Sequence, residues 1–264
     1  MTHALAGRTV LVSRPARQAA ALAQAIRAAG GEAFEFPALD IEAVPLEALA
    51  APLAQWAEAD LAIFISPNAA QFGMAAIRAR GLADPVQAFA VGPGTACALQ
   101  ALGVSGVITP DGQDSEALLG LPQLQTVAGK RVVIVRGVGG RPLLAETLAA
   151  RGAHVTLMEC YRRLRPQADA TPLLARWQAG GIDAVTVTSA ETLRNLAALL
   201  GEAGKPLLVR TPLFAPHEKI AEAARRWGVM RAVATRGGDQ GLVNGLVEWF
   251  GANPEPHSEP HVDF

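Results

Sequence analysis

The chain has 264 residues, of which 50% are hydrophobic and 18% charged, with a formal net charge of −1. That length fills a complete core and is more comfortable as two domains than as one. The charge balance excludes a generally basic nucleic-acid binder but leaves room for a local positive cleft. With no apolar run of roughly eighteen residues and no charged-then-apolar leader in MTHALAGR, the sequence reads as soluble and cytoplasmic, without a membrane partner.

The first element expected is a strand in Gly7-Arg-Thr-Val-Leu-Val-Ser-Arg14, a β-branched run. PARQAAALAQAIRAAGG then predicts a helix with Pro15 at its first position, Ala19, Leu22 and Ile26 on one face, and a glycine stop at Gly30. EAFEFP reads as a second strand, ended by the proline-bearing break Pro37-Ala-Leu-Asp40. Asp60-Leu-Ala-Ile-Phe-Ile-Ser66 is the next strand, and Ser66 precedes the helical PNAAQFGMAAI. Gly92-Pro-Gly-Thr95 is another turn from strand to helix, with open backbone amides and a hydroxyl.

In the second half, Gly129-Lys-Arg-Val-Val-Ile-Val-Arg136 runs into Gly137-Val-Gly-Gly-Arg141, which looks at first like a phosphate cradle. It lacks both G-x-x-x-x-G-K-[ST] and G-x-G-x-x-G, whose later glycine falls on Pro142, so a nucleotide enzyme is a weak reading. AHVTLMECY is a further strand, followed by the break Tyr161-Arg-Arg-Leu-Arg-Pro166. Asp183-Ala-Val-Thr-Val-Thr-Ser189 leads into the helical AETLRNLAALL, and Ala215-Pro216 marks another strand end. The tail from Gly251, GANPEPHSEPHVDF, has no period and reads as disordered, with 253–264 as its core extent.

These elements repeat. Gly7–Arg14 matches Gly129–Arg136 and the stops Gly30 and Gly152 match, both at an offset of 122; Asp60–Ser66 matches Asp183–Ser189 at 123. One unit of about 120 residues therefore occurs twice, with strands alternating with helices as in parallel sheets covered on both faces. Ligands of such sheets sit beyond the carboxyl ends of the strands, where Arg14, Ser66, Gly92, Arg136, Ser189 and Ala215 fall.

The breaks at 37–40 and 161–165 occupy nearly equivalent places in the two copies. If the chain crosses at both, the fold is α/β with two similar parallel-sheet lobes: 1–36 plus 166–252, and 41–160. The breaks then form a two-stranded hinge beside an open cleft. Cys97 and Cys160 read as small core residues and not as a disulfide or zinc site. His3, His257 and His261 are terminal, His154 lies in an expected strand, and no histidine pair has metal-ligand spacing.

The ordered set LVSRP, FISPNAA, AVGPGTACAL, VIVRGVGGRPLLAETLAARGAHVTLMECYRR, VTVTSAETLRNL and FAPHEKIAEAARRWG resembles the uroporphyrinogen-III synthase family. It extends from Gly7 to about Trp249; the order of the six, more than any one of them, is specific. The resemblance implies a two-lobed, cofactor-free, monomeric cyclase. Its substrate would be hydroxymethylbilane, a linear tetrapyrrole bearing acetates and propionates, closed with inversion of the last ring and loss of water. Unaided, the same substrate closes without inversion to the type I isomer.

The resemblance also implies that Tyr161, the only tyrosine in the chain, assists departure of the hydroxyl. A buried ring with a wet hydroxyl at a strand end is the structural alternative. Thr95 is implied as a substrate contact, against a plain capping role. Ser66 and Ser189 are expected both to cap helices and to meet ligand carboxylates. Arg14 and Arg136, at matched strand ends, are the expected carboxylate partners, with Arg141, Arg162 and Arg163 as additions and His217 as a weaker candidate. A non-catalytic two-lobed binding or regulatory module for an anionic ligand is the alternative of a different class.

Overall fold

The computed structural model describes residues 4–112 and 114–253. The chain forms two compact units, one joining Met1–Asp40 to Leu164–Phe264 and the other comprising Ile41–Arg163. In chain order the first unit holds β1 (Thr9–Val12), α1 (Ala16–Ala28) and β2 (Glu32–Glu35). The second holds β3 (Asp40–Ala43), α2 (Ala50–Trp56), β4 (Leu61–Phe64), α3 (Pro67–Ala79), β5 (Ala88–Ala90) and α4 (Pro93–Ala101). It continues with α5 (Ser115–Leu119), α6 (Pro122–Gln125), β6 (Arg131–Gly137), α7 (Leu143–Ala150) and β7 (His154–Leu164). The chain then returns to the first unit with α8 (Thr171–Gln178), β8 (Ala184–Thr186), α9 (Ala190–Arg210), β9 (Leu213–Ala215), α10 (Glu218–Trp227), β10 (Ala232–Ala234) and α11 (Gly238–Ala252).

The first unit is a parallel sheet in the order β10-β9-β8-β1-β2. Alternation along β1 explains how it is covered. Val10 and Val12 face a core shared with Leu22 and Ile26 of α1 and Leu242 and Leu246 of α11, while Leu11 faces Leu173, Leu196 and Ala221 from α8, α9 and α10. All four residues of β1 are buried, as expected of a strand covered on both sides.

The second unit has the order β3-β7-β6-β4-β5, with parallel pairing from β7 through β5. Ala62, Phe64, Val133 and Val135 pack under α2, α3 and α4. Leu61, Ile63, Val132 and Ile134 pack under α5, α6 and α7. Outside β7, the Val44 amide donates to Cys160 O at 3.0 Å and Glu42 lies 3.5 Å from Arg162.

The repeat is legible in hydrogen bonds. The Asp183 carboxylate accepts the Thr9 amide at 2.8 Å, and the Asp60 carboxylate accepts the Arg131 amide at the same distance. In return the Asp183 and Asp60 amides each donate at 2.9 Å to Thr9 O and Arg131 O. Gly30 and Gly152 both take left-handed backbone, φ 89° and 85°, just beyond α1 and α7. Each sheet thus combines strands of both copies: β1 and β2 of the first with β8, β9 and β10 of the second, and β4 and β5 of the first with β6 and β7 of the second.

Three local expectations change. Pro15 is the residue before α1 and not its first helical position; its extended backbone still starts the helix, whose buried face holds Ala19, Leu22, Ala23 and Ile26. Cys97 is exposed, because its place on α4 faces away from the Ala96 and Leu99 side, whereas Cys160 is buried as expected. α11 runs through Gly251 to Ala252, and Asn253 closes it with its side-chain amide on Trp249 O at 2.9 Å. The expected helix AETLRNLAALL forms as the first part of α9, and Gly201, with φ 61° and ψ −163°, interrupts the helix just beyond it. The remaining tail, 254–264, lies outside the described residues, as does His3.

Candidate functional site

In the second unit the carboxyl ends of β4, β5 and β6 gather four of the expected residues. β4 ends at Phe64, and Ser66 caps α3 by accepting the Ala69 amide at 3.0 Å. β6 ends in Arg136-Gly137, and β7 places Tyr161 opposite Gly137 at a register shift. That shift brings the Tyr161 hydroxyl to 3.1 Å from Ser66 Oγ.

The Tyr161 side chain is closely held. Its ring stacks on Phe72 of α3 at 5.7 Å and 27°, and its other surroundings include Gly137, where a Cβ would lie 2.6 Å from Cζ. Only glycine lets the ring lie there. The residue is 2% exposed, and the Arg163 guanidinium stands 6.0 Å from the ring centroid. Sequence reasoning missed Phe72, which is an ordinary apolar helix position in PNAAQFGMAAI.

Arg136, expected from its strand-end position to offer its charge to a ligand, spends most of it internally. The residue is 5% exposed. Its guanidinium donates to Gly137 O and Arg141 O, both at 3.3 Å, and approaches Glu159 at 3.7 Å. A Cβ on Gly140 would meet its Cζ at 2.8 Å. The glycines of RGVGGR therefore floor two side chains, Tyr161 at Gly137 and Arg136 at Gly140. A cavity of about 220 Å³ opens beside Arg136 and Arg141, with Ile65, Val91 and Ser115 in its wall. Arg141 pairs only loosely with Glu116, at 3.5 Å and with both side chains more than half exposed.

Thr95 is 3% exposed in the first turn of α4. The capping position belongs to Gly92, so the plain capping role does not account for the threonine. A Cβ on Gly94 would be 3.9 Å from Pro67, so the amino ends of α3 and α4 lie side by side. Two adjacent helix amino termini favour negative charge.

In the first unit Ser189 caps α9, accepting the Thr192 amide at 3.0 Å and sharing a 2.9 Å hydrogen bond with its hydroxyl. It repeats the backbone of Ser66: φ −159° against −164° and ψ 158° against 162°. Arg14 donates to Asp239 at 2.7 Å and to Gln18 O at 3.3 Å. Its charge is thus matched by an acid 225 residues away that nothing in the local sequence announces. His217 precedes α10 without a side-chain capping bond, and Glu218 is held by Arg225 at 2.7 Å.

A larger cavity of about 600 Å³ lies at the amino ends of β4, β6 and β7, lined by Asp60, Arg131, His154 and Thr156 among others. That is the end of a parallel sheet where ligands are not expected. Its size does not outweigh the convergence of hydroxyls, buried arginine and helix ends at the opposite edge. Burial pushes the Cys160 thiol up to about 12, so the sulfur beside Arg136 O and Ala69 O is an inert wall of the site. Among the described residues, no three His, Cys, Asp or Glu side chains group as a metal site, and no helix is long and apolar enough to cross a membrane.

A family model described as uroporphyrinogen-III synthase HemD matches residues 20–244. The chain is 39% identical over 225 residues to the uroporphyrinogen-III synthase of Salmonella typhimurium, covering 83% of this chain and 92% of that one. It is 36% identical over the same length to the Escherichia coli enzyme, with the same coverage. Among solved structures, a mutant uroporphyrinogen III synthase from Thermus thermophilus matches 94% of this chain and 99% of its own at TM-score 0.64 and 22% identity. The Helicobacter pylori protein matches 92% and 99% at TM-score 0.57 and 13% identity. At those identities the structural matches speak for the fold.

Proposed function

The chain belongs to the uroporphyrinogen-III synthase family, and we propose that it closes hydroxymethylbilane to uroporphyrinogen III, inverting the last ring and releasing water. The observation that carries this reading is the family match across 20–244, which spans the segments holding Ser66, Thr95, Arg136, Tyr161 and Ser189.

Loss of the hydroxymethyl oxygen asks for one proton and leaves a protonated, cationic azafulvene. Carbon–carbon rearrangement then proceeds through a spiro intermediate, for which position matters more than reactive groups. In this reading Tyr161 supplies the proton at the leaving oxygen. Thr95 and the helix ends capped by Ser66 and Ser189 take carboxylates, and so do Arg14 and Arg136 in so far as their internal partners yield. The two units are the lobes: 1–36 plus 166–252, and 41–160. Residues 37–40 and 161–165 form the hinge. No cofactor is needed for this chemistry, and the working protein is read as a cytoplasmic monomer.

The test is incubation with freshly generated hydroxymethylbilane, separating the isomers by chromatography. Type III product in excess of the spontaneous type I supports the reading; type I alone overturns it.

A further inference from the structure

Tyr161 is the expected helper of hydroxyl departure, yet it is 2% exposed, packed on Phe72 and set against Gly137. Ser66, half-buried at the mouth of α3, is the more open member of the pair. A serine hydroxyl has one proton to give and two lone pairs to fill. The Ala69 amide fills one at 3.0 Å. With Tyr161 donating across 3.1 Å the other is filled, and among the described residues no acceptor is then left for the serine's own proton.

We propose that Ser66 is the group that touches the leaving hydroxyl and that Tyr161 acts through it, the two forming a proton relay. This rests on the cyclase reading above. As the C–O bond breaks, its electron pair leaves with the oxygen, the pyrrole nitrogen lone pair fills the vacated carbon, and the Ser66 proton passes to the oxygen, which departs as water. The Tyr161 proton moves to Ser66, leaving a phenolate beside the amino end of α3, where the helix dipole favours negative charge. Ring closure then joins the vacated carbon to the substituted α-carbon of the last ring, giving the spiro intermediate; that α-carbon's older bond to its methylene breaks, the methylene rejoins the ring at its free α-carbon, and rearomatisation releases the proton of that carbon, which restores Tyr161. Over one turnover the protein's protons balance and only water is lost.

The relay makes Tyr161 a positioning residue and proton source behind Ser66, and it predicts strong non-additivity. The experiment compares type III formation by the wild type, Tyr161→Phe, Ser66→Asn and the double variant. Asparagine caps a helix as well as serine but carries no hydroxyl, and Ser66→Gly serves if the asparagine does not fold. Each single change is expected to lower kcat on the order of 100-fold with KM unchanged. The double should be no worse than either single, and Ser66→Thr should restore most of the rate. Losses that multiply in the double, a Ser66→Asn effect confined to KM, or wild-type kcat in either single overturns the relay. A wild type that yields only type I product instead overturns the cyclase reading, and that arm is scored first.

Discussion

Arg14 and Asp239 hold each other across 2.7 Å, their side chains 13% and 32% exposed. The arginine expected to receive a substrate carboxylate therefore already has one. A polyanionic ligand must compete with Asp239 or share the guanidinium with it. Asp239→Asn is accordingly expected to tighten product binding several-fold, and Arg14→Ala to weaken it. Both effects should grow at low salt, where partly exposed charges are least screened. Titration calorimetry at two ionic strengths checks this; wild-type affinity in Arg14→Ala at both would show that Arg14 serves the fold alone.

Arg136 is a different case, because its guanidinium is spent on the turn just after it. Arg136→Ala removes the donor to Gly137 O and Arg141 O and leaves Glu159 without its cation. Thermal or urea unfolding is expected to show a loss of about 1–3 kcal/mol. Arg136→Lys should recover less than half, since an ammonium cannot reproduce the planar fork over Gly140. A variant as stable as wild type would mean the loop is held by other contacts.

Gly137 tests the position of the ring without touching Tyr161. A methyl group at 2.6 Å from Cζ must displace either the ring or the strand. Gly137→Ala is expected to cost about 1–3 kcal/mol of stability and to lower kcat with little change in KM. Steady-state kinetics on hydroxymethylbilane check it, and unchanged kcat would mean that the ring's placement does not matter to the reaction.

The two thiols should behave oppositely. Cys97 is exposed and should react at once with a thiol reagent, while Cys160 should stay unmodified until the protein unfolds. For Cys160 the folded state raises the thiol from 9.0 to about 12. Its contribution to stability is therefore complete below about 9 and is lost as pH rises toward about 12. Thiol counting on Cys97→Ser against wild type, native and denatured, gives the readout; a rapidly titrating thiol in native Cys97→Ser would contradict the buried placement.

Much of the fold was legible because its signals are local. The β-branched runs at β1 and β6, the glycine stops at Gly30 and Gly152 and the serines at Ser66 and Ser189 each depend on a few neighbouring residues. The repeat then doubled every such signal. What escaped was long-range. Asp239 reaches Arg14 from the far end of the chain, and Phe72 stacks on Tyr161 from 89 residues away in sequence. Arg136 looks like a ligand partner only if a strand end points outward. A turn with glycines at 137, 139 and 140 is flexible enough to fold back and enclose it. Cys97 misleads because a cysteine in an apolar stretch gives no sign of which side of a short helix it occupies.

The product isomer is the most direct measurement of the central claim. Freshly generated hydroxymethylbilane is incubated with increasing amounts of the protein and the uroporphyrinogens are separated. The type III share is expected to rise with protein concentration toward completeness as the spontaneous type I share falls. An isomer ratio that stays at the protein-free value at every concentration would contradict it.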